Sequence, residues 1–274
     1  MSSFKDRLKE SQGQGSSFPR LPVVHTVELK EAGTDIEFQV YDKDQKANVK
    51  YADVISGILI GTAMQVSSYS DNLGRNGGQY KSDFYVNNKN VVLFGPTAKG
   101  YEVMCKGTMD EVEKYINDNS TGSAKKRQAI FVLTPAGLLA VVTNLSIAID
   151  QIGKYREELT EKQIVLTPTL FNEKDESISK KAKEYLGKFR QKNPPKYAAI
   201  SIGQPITEEL WEALKADYVI EQFTAWKKYK EAGGQQVQEV SNEPAQDHNY
   251  TTAQSQAASM TQEPFDDDID HLPF

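Results

Sequence analysis

The order of apolar and polar residues has strand periodicity through most of the first 150 residues. Val23–Leu29 is rich in β-branched residues, and Ile36–Tyr41 alternates apolar and polar side chains, which predicts two short strands. A long strand is predicted at Ile55–Ser68. Its internal Gly57 and Gly61 indicate bulges or bends of the kind that small closed barrels need.

A second set of strands surrounds one helix. The helix is expected at Thr108–Ile116, because Thr108 and Glu111 have the spacing of a capping box. About five strands with a helix between the third and the fourth are typical of an OB-fold, a small Greek-key barrel that often binds oligonucleotides. The further strands are predicted at Gln79–Val86, Val91–Phe94, Tyr101–Cys105, Ala129–Leu133 and Leu139–Ile149.

Residues 151–230 change to mixed α and β patterns. Gln163–Leu170 and Tyr197–Ile202 predict strands, and Asp175–Lys192 predicts an amphipathic helix. Thr207 is expected to cap a further helix that runs to about Lys230. We therefore predict a mainly β body at 21–230 with added α/β elements. Its OB-like barrel covers about 51–150, and the α/β extension 151–230 packs on that barrel.

Both ends of the chain differ from this body in composition. Residues 1–20 are polar and small, which predicts a flexible arm. Residues 231–274 contain nine of the 38 acidic residues and none of the 32 basic residues, which leaves a net charge of +3 on the first 230. We predict a disordered acidic tail at 231–274. A mildly basic body with an acidic tail is typical of a protein that binds polyanions.

The sequence ends on a run of aspartates followed by two large apolar residues. The charges favour a solvated tip, whereas Phe274 could fill an apolar pocket of a partner while the carboxylates meet Arg and Lys. An ordinary acidic solubility tail is the alternative interpretation. The predicted partner-binding residues are Asp266, Asp267, Asp268, Ile269, Asp270, Leu272, Pro273 and Phe274.

This tip resembles that of bacterial and phage single-stranded DNA-binding proteins, in which Asp-Asp-Asp-Ile or -Leu is followed directly by Pro-Phe. Here Asp270, His271 and Leu272 intervene. Asn76-Gly77-Gly78 and Val91–Gly95 also look like parts of the bacterial barrel strands. The resemblance implies an OB-fold body, no catalysis, no obligatory cofactor, and tail-bound partners in DNA replication, recombination and repair. The long body favours a phage-encoded version.

Aromatic and basic residues interleave through the predicted barrel, and binding of single strands needs rings for bases and cations for phosphates. On Gln79–Val86 the alternation separates Tyr80 and Phe84 from Lys81 and Tyr85, and each ring could be core or platform. The segment 125–127 is expected to be a basic loop. The candidate DNA-binding residues are Tyr69, Arg75, Tyr80, Lys81, Phe84, Tyr85, Lys89, Lys99, Tyr101, Lys106, Lys125, Lys126 and Arg127.

Signals for other classes of protein are weak. The single Cys105 excludes an intrachain disulfide and a thiolate zinc site and is typical of a reducing cytoplasm. Phosphate-binding glycine motifs, a signal peptide and a membrane-length apolar run are not found in the sequence.

We therefore predict a cytoplasmic protein that binds single-stranded DNA without sequence preference, is not an enzyme and needs no metal or cofactor. Its expected partners are single-stranded DNA and tail-bound replication, repair or recombination proteins. A homo-oligomer is compatible with this prediction. One alternative is a replisome or transcription accessory protein that engages, for example, host RNA polymerase and binds DNA weakly. A metal-dependent nuclease is the other alternative.

Overall fold

A computed structural model describes residues 19–32, 35–42, 44–69, 78–98, 100–120, 122–171, 174, 176, 178–180, 183–184 and 195–232. The predicted N-terminal arm up to residue 18, most of the predicted helix Asp175–Lys192 and the predicted tail from residue 233 lie outside these ranges. The described part is mainly β, with eleven strands in one mixed sheet and four α-helices around it.

The strands follow the predicted pattern closely, with β3 as an addition. The helices are α1 Met109–Asn119, α2 Leu145–Lys154, α3 Glu208–Ala213 and α4 Ala216–Glu231. The strands are β1 Val23–Ala32, β2 Asp35–Asp42, β3 Ala47–Ala52, β4 Ile55–Tyr69, β5 Gln79–Ser82, β6 Val91–Thr97, β7 Gly100–Gly107, β8 Lys125–Thr134, β9 Gly137–Asn144, β10 Lys162–Leu170 and β11 Lys196–Pro205.

The long strand β4 is the hub of the sheet. The strand order is β3-β2-β1-β9-β8-β4-β5-β6-β7, and β10 joins both β4 and β11. Every pairing is antiparallel except the one between β1 and β9. Along β4, the first residues pair with β10, the middle with β8 and the last three with β5. Because β10 pairs with β4, the α/β extension belongs to the same sheet as the predicted barrel.

Strands β8 and β9 are buried on both faces. On one face Ile130 and Val132 pack with Ile164 of β10 and Ile200 of β11. On the opposite face the alternate residues of the same strands pack against α4. Their partners there are aromatic, and the Phe131 ring lies 5.3 Å from Phe223 and 6.0 Å from Trp226 between centroids. The central strands β8 and β9 therefore lie between β10 and β11 on one face and α4 on the other.

A third cluster lies beside β5, β6 and β7. Helix α1 begins at the predicted capping box, in which the Glu111 N–H donates to the Thr108 side chain and the Thr108 N–H donates to the Glu111 carboxylate. Its apolar residues Met109, Val112 and Ile116 are fully buried against strands β5 and β6. The predicted helix is confirmed, and it extends to Asn119.

Three predicted elements were wrong in part, and the first is the strand predicted at Gln79–Val86, which ends at Ser82. The strand predicted at Leu139–Ile149 ends at Asn144, whose side chain accepts a hydrogen bond of 3.3 Å from the Ile147 N–H and caps α2. The helix predicted from Thr207 to Lys230 is two helices, because Lys215 between them has φ of +52°. The strands expected for a five-stranded barrel belong to the larger mixed sheet.

Candidate nucleic-acid interface

Three strand ends bring several predicted binding residues to one face of the sheet. Ser67 of β4 pairs with Lys81 of β5 on one side and with Lys125 of β8 on the other. Directly paired residues, and residues two apart on one strand, point to the same face. Tyr69, Lys81, Lys125 and Arg127 therefore share one face, which we call the tyrosine–lysine face.

Tyr69 is the most exposed aromatic residue of this face. It is the last residue of β4, and 58% of its surface is accessible. The Lys125 Nζ lies 5.9 Å from the centroid of its ring, at the outer limit of a cation–π contact. The Ser120 hydroxyl donates to the Tyr69 carbonyl oxygen and fixes the strand end. An exposed ring next to an ammonium group offers a surface for a base and a charge for its phosphate.

Tyr101 of β7 borders the same strand ends. Its hydroxyl oxygen accepts a hydrogen bond of 3.2 Å from the backbone N–H of Gln79. Gln79 is in turn the residue of β5 that pairs with Tyr69. The Tyr101 ring is partly exposed. Two tyrosines thus lie on either side of the first residue of β5.

Lys81 points toward β1 and forms an ion pair there. Its Nζ lies 2.5 Å from Glu28 Oε1, and the Lys30 Nζ lies 2.6 Å from Glu28 Oε2. Burial raises the pKa of Glu28, but the two ammonium groups outweigh it and lower the pKa to about 2. The carboxylate is therefore fully ionised at neutral pH and is held between two lysines.

Three of the aromatic residues that were predicted to stack on bases are core residues, and the prediction was wrong for them. Tyr80, Phe84 and Tyr85 are at most 5% exposed. The Tyr80 hydroxyl donates to the Asn119 carbonyl at 3.4 Å, and the Phe84 ring contacts Phe131 at 5.4 Å between centroids. Since no ring face is accessible, none of the three can stack on a base without unfolding.

The remaining predicted cations are dispersed. Lys126 points to the opposite face, where its Nζ lies 2.7 Å from Glu113 of α1. Lys89 is exposed between β5 and β6, and Lys106 is exposed on β7. The segment 125–127 is the start of β8 and not a loop, because it continues the pairing with β4. Arg75, Lys99 and the tip residues 266–274 lie outside the described residues.

Glu28 and Lys30 were missed by the sequence reasoning. They alternate with the core residues Val27 and Leu29 on β1, which extends to Ala32, beyond the predicted end at Leu29. That alternation places the two charged residues on the face opposite Val27 and Leu29. Their position next to Lys81 depends on how the sheet curves, which no local pattern indicates.

Among the residues that the structure describes, no group of three or more His, Cys, Asp or Glu side chains could hold a metal ion. None of the described helices has the length and apolar character needed to cross a membrane. No family model, curated protein or solved structure matches this chain.

Proposed function

We propose that the protein binds single-stranded DNA without sequence preference through the tyrosine–lysine face. The observation that carries the proposal is the exposed Tyr69 ring with Lys125 beside it, on strands that also present Arg127 and border Tyr101. Stacking on a ring is tolerant of sequence because every base has a π face, and phosphate contacts carry no sequence information.

The strand arrangement supports a barrel-like body for this function. Helix α1 lies between β7 and β8, and the strands on either side of it follow the order β9-β8-β4-β5-β6-β7. An OB-fold also carries a helix between two of its strands, but after the third strand, whereas α1 follows four strands of this order, β4 to β7. We propose that the OB-like barrel is formed within the larger sheet, with β1, β2, β3, β10 and β11 as additions.

The acidic segment from residue 231 is proposed to recruit partner proteins of DNA replication, recombination or repair, or an RNA polymerase. The support is its charge, because residues 231–274 carry nine acidic and no basic residues and end on Leu-Pro-Phe. Four aspartates in five positions favour a partner surface rich in Arg and Lys. The protein is proposed to act in the cytoplasm of a bacterial host as a non-enzymatic, phage-encoded component.

A titration with an oligo-dT of about 20 nucleotides tests the binding function. Loss of one stacked base costs about 1–3 kcal/mol, so Tyr69→Ala should weaken binding by roughly 5- to 150-fold. Lys125→Ala should weaken binding and make the slope of log K against log[salt] shallower by about 0.7, the value for one phosphate on a single strand.

The control variant is Tyr41→Ala. Tyr41 lies on β2, is 51% exposed and is thus as accessible as Tyr69, but it is not near β5 or β8 in the strand order. Its replacement should leave oligo-dT binding unchanged. The proposal is overturned if the unmodified protein does not bind oligo-dT, or if Tyr69→Ala and Tyr41→Ala bind equally well.

A further inference from the structure

The carboxylate of Glu28 occupies a position between two lysines that resembles the position of a bound phosphate. Its two oxygens each contact a different ammonium group, at 2.5 Å from Lys81 and 2.6 Å from Lys30. The three side chains come from β1 and β5, which lie at the two ends of the order β1-β9-β8-β4-β5. An anion is therefore already bound at the point where these strands approach each other.

Accessibility distinguishes the carboxylate from the two lysines. The Glu28 side chain is 11% exposed, whereas the Lys81 and Lys30 side chains are 19% and 32% exposed. The two lysine side chains are thus more accessible to solvent than the Glu28 side chain that they share. Across the strand pair, Lys30 faces Glu37, which accepts a hydrogen bond of 2.6 Å from Gln39.

We propose that Lys30 and Lys81 form a phosphate subsite of the nucleic-acid interface and that Glu28 masks it as an internal phosphate mimic. This inference rests on the proposed function and refines it. Lys81 lies on the same face as Tyr69 and Lys125, so a strand on these residues runs toward the pair of lysines. While Glu28 is ionised it competes with that phosphate, which lowers affinity and keeps the strand exchangeable.

Neutralising the mimic should unmask the subsite. Glu28→Gln keeps the shape of the side chain and removes its charge. We expect tighter binding of oligo-dT and a slope of log K against log[salt] that is steeper by about 0.7 to 1.4, which corresponds to one or two additional phosphates. A Glu28 that only joins the two strands structurally would leave the salt slope unchanged.

Glu31→Gln is the matched control. Glu31 lies on the same strand, pairs with Lys196 at 2.8 Å and points to the opposite face of the sheet. The Glu31→Gln substitution makes the same change in net charge without altering the subsite. The oligo-dT affinity and the slope of log K against log[salt] should therefore stay as in the unmodified protein. Equal gains in Glu28→Gln and Glu31→Gln would show a general charge effect and overturn the proposal.

A second variant tests the subsite without removing Glu28. In the unmodified protein Glu28 is paired with Lys81, so Lys81→Met should weaken oligo-dT binding by a smaller factor than it does in the Glu28→Gln background. In the Glu28→Gln background the same replacement should abolish the gain. A double-mutant cycle measures this coupling, and additive effects would contradict the proposal. Melting temperatures of all four proteins show that the comparison is made on folded protein.

Inorganic tripolyphosphate separates this inference from the proposed function. If the unmodified protein does not bind oligo-dT, the proposed function fails, but the masked subsite still predicts a difference toward the inorganic anion. By calorimetry, Glu28→Gln should bind tripolyphosphate at least tenfold more tightly than the unmodified protein. Equal affinity of the two proteins would overturn the masked subsite whatever the outcome with DNA.

Discussion

Lys81 of β5 and Glu28 of β1 form an ion pair of 2.5 Å, although four strand pairings separate the two strands in the sheet. In a flat sheet, four pairings would place these strands roughly 19 Å apart. The contact therefore requires the sheet to curve strongly through β9, β8 and β4. This curvature brings β1 across from the tyrosine–lysine face.

The ion pair predicts a specific loss of stability in acid. The folded pKa of Glu28, about 2, lies below its ordinary value of 4.5. Its stabilising contribution, about 3 kcal/mol from such a shift, is therefore fully present above pH 4.5 and is lost as the pH falls toward 2. Urea unfolding should show a difference between unmodified protein and Glu28→Gln at pH 7 that shrinks below pH 4.5. A difference that is independent of pH would contradict this assignment.

A close backbone approach predicts that Gly57 cannot be replaced. A Cβ atom at this position would lie 2.2 Å from the Leu133 carbonyl oxygen of the neighbouring strand. We expect Gly57→Ala to lower the unfolding free energy by more than about 2 kcal/mol, because the backbones of β4 and β8 must move apart.

Gly153 in helix α2 provides the opposite case. Apart from its chain neighbours and the backbone of its own helix, no atom of the residues that the structure describes lies within 4 Å of the position that a Cβ would take. Gly153→Ala should therefore stabilise the protein by about 0.5–1 kcal/mol, as expected for a glycine in a helix. Chemical denaturation of both variants measures the contrast. Similar effects in the two would show that steric crowding at Gly57 is not the cause.

Local patterns predicted most of the elements because they determine local structure. The alternation in Ile36–Tyr41 correctly indicated a strand. The glycines of Ile55–Ser68 indicated a bulge or bend, and the register of β4 against β8 shifts between Leu59 and Gly61. The capping box at Thr108 fixed the start of α1. Each of these signals acts within a few residues, so a sequence contains all that is needed to detect it.

The candidate site was less predictable because it depends on distant contacts. The regular alternation assumed for Gln79–Val86 fails after Ser82, where β5 ends and Tyr85 joins β4 only through an isolated bridge to Met64. That break puts Phe84 and Tyr85, two consecutive residues, both in the core. Likewise, Leu145–Ile149 fits a strand or a helix by its apolar residues, and the Asn144 cap favours the helix.

A buried ion pair at the end of α4 predicts unequal effects at two nearby lysines. Lys230 is 8% exposed and its Nζ donates to Asp83, which also accepts from the Val92 N–H at 3.0 Å. Burial raises the pKa of Asp83 despite the partly compensating charge of Lys230. Lys230→Met leaves this carboxyl group without its cation and should lower the free energy of unfolding by about 3–5 kcal/mol.

Lys227 is the control for that variant. It is half exposed and lies 3.9 Å from Glu231, a surface pair of the kind that contributes about 0–1 kcal/mol. Lys227→Met should therefore change the thermal midpoint little, whereas Lys230→Met should lower it clearly. Equal midpoints would show that the buried pair does not hold α4 on the sheet.

We expect that removal of the Tyr85 hydroxyl does not destabilise the protein. This hydroxyl is buried and has no hydrogen-bond partner among the residues that the structure describes, and burial raises its pKa to about 12. An unsatisfied buried hydroxyl costs about 1–3 kcal/mol, so Tyr85→Phe should keep or increase the unfolding free energy. Because the folded pKa is raised, the hydroxyl makes stability fall as the pH rises above 10, and Tyr85→Phe should remove that part of the alkaline loss.

Tyr80→Phe, which deletes a hydroxyl bonded to the Asn119 carbonyl, should instead lower the unfolding free energy by about 1 kcal/mol. Urea unfolding at pH 7 and pH 10.5 compares the two variants, and a loss of stability at pH 7 in Tyr85→Phe would mean that its hydroxyl has a partner.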